Sequence, residues 1–309
     1  MLLLWRLIMF VLLPGVCVAM TVPRVGVALL PLQLLRAPDD EARLREASRL
    51  VQRKLYVSLG PDPEWATVNF EDACRRLQFV YEQTARWHPQ LDVRVLLPPA
   101  DGSDAAATSC TDVEAMLALE VECATLTCFN KQRSLIGLPP VELCVLSAAC
   151  ASDGAVLGLR APDASAAPAA ARDGGGELSA APATPSFDDA CVGGTFDRLH
   201  GGHKVLLSAA ALLARRRLVV GVTHETLLEQ KALRPMIEPR ALRAAAALEF
   251  VRSVRPGLLC ESTWLRDPMG PAATDAALGA LVVSEETRGG AAECNAARRA
   301  RGLPELALL

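Results

Sequence analysis

Ala190 to Val222 reads ACVGGTFDRLHGGHKVLLSAAALLARRRLVVGV. A short apolar run from Ala190 to Val192 leads into a turn with four glycines. His200 to Ala214 follows at helical spacing, and Leu218 to Val222 (LVVGV) returns as a second apolar run. Within the middle stretch Val205, Leu206, Ala209, Leu212 and Leu213 form one apolar stripe. Strand, helix and parallel strand in this order are a βαβ unit. The pattern continues with a helix over 239–254, a third strand over 258–261 and a fourth over 281–284. The expected fold is therefore α/β, with a Rossmann-like parallel sheet. Arg215, Arg216 and Arg217 fall where they suit the negative end of the first helix dipole.

In open sheets of this kind ligands sit beyond the carboxyl ends of the strands, which places the site at the turn from Gly193 to His203. Gly193 and Gly194 let the backbone turn sharply and approach a ligand closely. Gly201 and Gly202 do the same at the helix start, whose free amides and positive dipole end attract anions. His200 and His203 stand three apart, so both rings can face one side of that first turn. Phosphate is the natural occupant. A zinc ion is the competing use of the pair, with His224 or a carboxylate as third ligand. Thr195 follows the two glycines at the mouth of the strand.

The 309 residues carry a net charge of −3, with 51% hydrophobic and 22% charged residues. That length suits two domains, and the balance argues against a nucleic-acid binder relying on a broad basic surface. Ten cysteines include no C-x-x-C pair, so a zinc ribbon is not expected and the thiols read as reduced. No metal centre is expected from the residues.

Residues 1–20 form an apolar segment, broken by Pro14 and Gly15, which reads as a targeting or anchor segment with membrane association through it, or as an extension upstream of Met20. Residues 21–160 read as a small α/β region. Ala42 to Val57 carries arginines at helical spacing, a helix is expected over 70–87, and strands over 91–97 and 141–146. From 161 to 186 the composition collapses to alanine, proline, glycine and serine, which marks a disordered linker. Gly174 to Gly176 lie inside it without the strand or Lys-Ser/Thr of a phosphate loop. The remaining 187–309 form the second domain.

GGTFDRLHGGHKVLLS resembles the H-x-G-H signature of the nucleotidyltransferase superfamily, in the form of the phosphopantetheine adenylyltransferase domain of eukaryotic bifunctional coenzyme A synthase. The likeness continues through LVVGVTHETLL (218–228), DPMGPAATD (267–275), LVVSEETRGG (281–290) and RGLPELAL (301–308). The resemblance implies adenylyl transfer from ATP to 4′-phosphopantetheine, giving dephospho-coenzyme A and pyrophosphate in coenzyme A biosynthesis. It implies His203 at the pentacoordinate phosphorus, His200 on the ATP phosphates and Thr195 on the attacking phosphate. Gly193, Gly194 and Phe196 would complete the nucleotide-binding turn. Lys231, Arg243 and Arg288 match further substrate-binding positions, and Mg²⁺ would arrive with ATP.

The aromatic residue that the family places between the threonine and arginine of the SEET segment is missing, since Thr287 meets Arg288 directly. The family's serine-rich segment after the last helix is not matched either, so weakened ATP binding and slow turnover are expected. No G-x-x-x-x-G-K-[ST] occurs, and a kinase domain is not expected in this chain. The resemblance implies a mitochondrial or cytoplasmic address. A cytidylyltransferase acting on a phosphorylated alcohol and a non-catalytic nucleotide-binding module remain the alternatives.

Overall fold

The computed structural model describes residues 24–32, 39–59, 68–97, 110–118, 123–146, 184–229 and 234–309. The expected targeting segment 1–20, most of the linker and Lys231 lie outside them. The first unit runs β1 (Val25–Pro31), α1 (Asp39–Leu50), β2 (Val51–Ser58), α2 (Phe70–Trp87), β3 (Asp92–Leu96), β4 (Ala115–Ala118), α3 (Cys123–Leu135) and β5 (Glu142–Val145). The second runs β6 (Phe187–Gly194), α4 (Gly201–Leu213), β7 (Ala214–Thr223), α5 (Arg240–Val254), β8 (Leu259–Leu265), β9 (Ala280–Val282), α6 (Arg288–Ala300) and β10 (Ala307–Leu308). Each unit is one five-stranded parallel sheet. The orders are β3-β2-β1-β4-β5 and β10-β9-β6-β7-β8. In each, the first strand lies between the second and the fourth, which puts a topological switch point at its carboxyl end.

The apolar runs become strands because a parallel sheet buries both faces. Ala190, Val192, Leu218, Val220 and Val222 are all but inaccessible. Helix α2 begins where Asn69 accepts a 2.8 Å bond from the Asp72 amide through its side chain, and it buries Ala73, Leu77, Val80, Tyr81 and Thr84 along one stripe. The expected helix over 70–87 is found with those bounds.

Two expectations are corrected. The arginine-spaced stretch 42–57 is not one helix, because α1 ends at Leu50 and Val51, Leu55 and Val57 turn inward on strand β2. Arg215 to Arg217 do not serve the dipole of α4. They belong to β7, whose pairing sets Arg217 beside Asp189, and the buried Asp189 carboxylate takes Arg216 at 2.9 Å and Arg217 at 2.8 Å.

The two units share one core. Helix α2 packs on α4, the Tyr81 and Phe250 rings lie 6.4 Å apart, and the Leu97 amide at the end of β3 donates to the Val254 carbonyl at the end of α5. No helix among the described residues is long and apolar enough to cross a membrane. Among the same residues Cys74, Cys110, Cys128, Cys144, Cys191, Cys260 and Cys294 carry free thiols.

Candidate active site

Strand β6 delivers the turn. Gly194 closes the strand so tightly on the following loop that a Cβ there would lie 3.0 Å from the Phe196 Cζ. Phe196 is fully buried with φ of 52°, and Arg198 has φ of 40°, both in the left-handed region that side chains avoid. A turn held in this form needs ties elsewhere. Asp197 supplies one, its Oδ1 accepting the Glu238 amide at 2.8 Å, and Arg198 Nη1 donates to the Met236 carbonyl at 2.8 Å.

Arg243 supplies the rest from inside. Its guanidinium is fully buried and donates Nε to the Glu238 carbonyl at 2.9 Å, Nη1 to Thr195 at 2.6 Å and Nη2 to Thr223 at 2.9 Å. One side chain therefore joins the loops after β6, after β7 and before α5. Burial pulls its pKa down, but the guanidinium stays charged. The sequence reading took Arg243 as a substrate contact; the fold instead makes it the tie behind the site.

His200 is the N-cap of α4 and is exposed. Its ring stacks on that of His203, with centroids 3.9 Å apart and planes 26° from parallel. His203 also meets Phe196, with centroids at 5.4 Å and planes tilted by 58°. Phe196, His203 and His200 thus run in contact from the core out to the helix start, the outer pair stacked and the inner pair tilted. Gly202 makes room for the outer pair, since a Cβ there would approach the His200 ring to 3.2 Å. His224 caps a 3₁₀ turn through the Thr226 amide instead of joining the pair, and no group of three metal-ligating side chains occurs among the described residues.

Arg288 opens α6 just beyond β9, at the same sheet edge as the turn. Its side chain is 69% exposed and pairs with Glu285 at 3.2 Å. Burial pushes the Cys191 and Cys260 thiols up to about 12, which removes them as nucleophiles. The arrangement offers donors and a helix terminus for phosphate. The sequence reading missed Asp197. Its only signal was an Asp placed to accept amides in the turn that enters a helix.

A cytidylyltransferase-like family profile matches residues 191–257, the span from β6 past α5. The phosphopantetheine adenylyltransferase of Methanopyrus kandleri is 39% identical over 123 residues, which cover 40% of this chain and 77% of that protein. The chain belongs to the phosphopantetheine adenylyltransferase family. An uncharacterized protein of Schizosaccharomyces pombe is 41% identical over 117 residues, and the phosphopantetheine adenylyltransferase of Saccharomyces cerevisiae 38% over 122. The chain spans only 37% and 40% of the lengths of these two relatives. Membership in the adenylyltransferase family thus rests on about two fifths of the chain, and the matched family profile contains the Phe196, His200 and His203 stack.

Proposed function

We propose that the second unit transfers an adenylyl group from ATP to 4′-phosphopantetheine, yielding dephospho-coenzyme A and pyrophosphate, as a step of coenzyme A biosynthesis. The observation that carries this reading is the stacked His200 and His203 pair at the free amino end of α4, beside the Gly193 and Gly194 turn at the sheet's switch point. A phosphate oxygen of phosphopantetheine attacks the α-phosphorus, the new P–O bond forms in line, and the bond to the β-phosphate oxygen breaks with its electron pair leaving on pyrophosphate. The protein's work is positioning and charge stabilisation. His203 stabilises the equatorial oxygens of the pentacoordinate phosphorus, His200 and the α4 amides hold ATP phosphates, and Thr195 contacts the attacking phosphate. Lys231 and Arg288 bind the phosphate of phosphopantetheine.

Asp197, the carboxylate of the turn, is already engaged by the Glu238 amide and Arg198. Mg²⁺ is proposed to arrive with the nucleotide substrate. Residues 1–20 carry the proposal of mitochondrial address, which imaging of a tagged full chain tests.

Pyrophosphate release from ATP or CTP, with and without phosphopantetheine, tests the reading. Release that requires both ATP and phosphopantetheine supports it. Preference for CTP selects the cytidylyltransferase alternative, and no release with any pair selects a binding module. Arg288→Ala should lower kcat/KM by about 10- to 100-fold, the value of one charge-assisted phosphate contact, mainly through KM for phosphopantetheine. An unchanged KM would remove Arg288 from the site.

A further inference from the structure

The first unit repeats the second position by position. Strand pairing fixes the match: Ala28 faces Leu55 and Ala115 as Ala190 faces Leu218 and Ala280. The end of each unit carries the same residues at one constant offset, with Asn130, Arg133, Gly137 and Pro139 recurring as Asn295, Arg298, Gly302 and Pro304. They do the same work. The Asn130 side chain bonds both the amide and the carbonyl of Val141, as Asn295 does for Leu306. The fully buried Arg133 and Arg298 donate Nε to the Pro139 and Pro304 carbonyls at 2.9 and 2.6 Å. Gly137 and Gly302 take φ of 76° and 69°. Chance convergence does not reproduce a sheet order, two side-chain clamps and a left-handed glycine together.

The units part company at the phosphate turn. Counting back from Val51 and Ala214, which begin β2 and β7, Leu44 and Ala47 take the buried places of Leu207 and Ala210. In that register Gly202, His203 and Lys204 are replaced by Asp39, Asp40 and Glu41. Pro31 and Leu32 stand where Gly193 and Gly194 would be. The acidic residues Asp40 and Glu41 at this helix start, paired with Arg43 and Arg45, replace the histidine and lysine that would favour an anion there.

What the first unit keeps is its grip on α4. Asp92 Oδ1 accepts from Lys204 Nζ at 2.7 Å, and the Val93 carbonyl accepts from the same ammonium at 3.0 Å. Lys204 follows His203 directly in the chain. Burial works to raise the Asp92 carboxyl, yet Lys204 and Arg94 together hold it below the ordinary carboxylate range. One turn further along α4, Ser208 Oγ lies 3.3 Å from the Tyr81 hydroxyl, which also accepts the Val95 amide at 3.1 Å. Beside these contacts is a cavity of about 560 Å³, lined by His200, Lys204, Thr84, Asp92 and Phe250 among others. The start of α4 therefore lies between Tyr81 and this cavity, and the polar contacts hold it there.

We propose that the first unit is a duplicate of the nucleotidyltransferase unit that has lost its anion site and now braces the His200 and His203 pair through the Asp92 to Lys204 contact. The bracing part rests on the reaction proposed above, whereas the duplication does not. Asp92 is then a positioning residue. In the full chain Asp92→Asn should lower kcat about 10-fold, as misplacement of a catalytic group does, with a smaller rise in KM for ATP. Lys204→Met should do the same, and the double variant should lose no more than either single one. Backbone amides of Gly202 to Leu207 should exchange faster in Asp92→Asn while the midpoint of thermal unfolding barely moves. Titration with ATP should give one site per chain.

Unchanged kcat and exchange in Asp92→Asn, additive losses in the double variant, or two ATP sites would each overturn the proposal. Tyr81→Phe, which removes one hydroxyl, gives the same reading if Asp92→Asn fails to fold. Should the unmodified chain form no pyrophosphate at all, the assigned reaction fails, and amide exchange decides the brace by itself.

Discussion

Replacing His203 by alanine is expected to lower turnover by about 100-fold or more, the range for losing one transition-state donor, while ATP affinity changes less. The geometry gives the reason. His203 stacks on His200 and makes a tilted contact with the buried Phe196, so its ring is held by both neighbours before substrate arrives. A donor held in this way costs little reorganisation when charge builds on the α-phosphorus oxygens, which is where its value to catalysis lies. In the proposed reaction ground-state ATP has other partners in the α4 amides and His200, and so should lose less. His203 also packs on Phe196, so the variant's thermal midpoint should be measured beside its kinetics; a drop in kcat with an unmoved midpoint isolates the chemical role. Near-normal turnover in His203→Ala would remove it from the catalytic step.

The second unit was largely legible because its signals are local. Glycine pairs, two histidines three apart and apolar runs of strand length lie within 33 consecutive residues, Ala190 to Val222, and the structure sets them as strand, turn, helix and strand. The first unit was legible only in part. Helix α2 announces itself by an Asn cap and a continuous apolar stripe. Strand β4 is four residues long, and α3 carries no clear apolar stripe, so neither stands out from sequence. The side chains that matter most to the site were hidden for a different reason. Asp92 reads as one polar residue in a strand, and its partner Lys204 lies more than a hundred residues away. The repeat was equally hidden, because the glycines and histidines that mark the second unit are those the first has exchanged for Pro31, Leu32 and acidic residues, leaving strand pairing and the Asn130 to Pro139 cluster to reveal it.

Arg243 should be a costly side chain to remove from the second unit. Arg243→Met keeps much of the volume and strips every donor, leaving the carbonyls of Thr195, Thr223 and Glu238 without their buried partner. Each such carbonyl costs about 1–3 kcal/mol if it finds no other donor, but water can enter behind the loops, and the variant no longer buries a cation. The balance is a loss of about 2–4 kcal/mol, or roughly 4–16 °C in thermal midpoint for two units that unfold together around one core. Arg243→Lys separates charge from geometry. An ammonium on a single stem cannot reach three carbonyls that the planar fork spans, so it should recover little of the loss. The Thr195 carbonyl sits between Gly194 and the strained Phe196, so slack there moves the floor under His203. Turnover should therefore fall in Arg243→Lys even at temperatures where the protein is fully folded, and KM for ATP should rise with it. A folded Arg243→Met variant with unchanged midpoint and kinetics would show that the three loops hold their places without it.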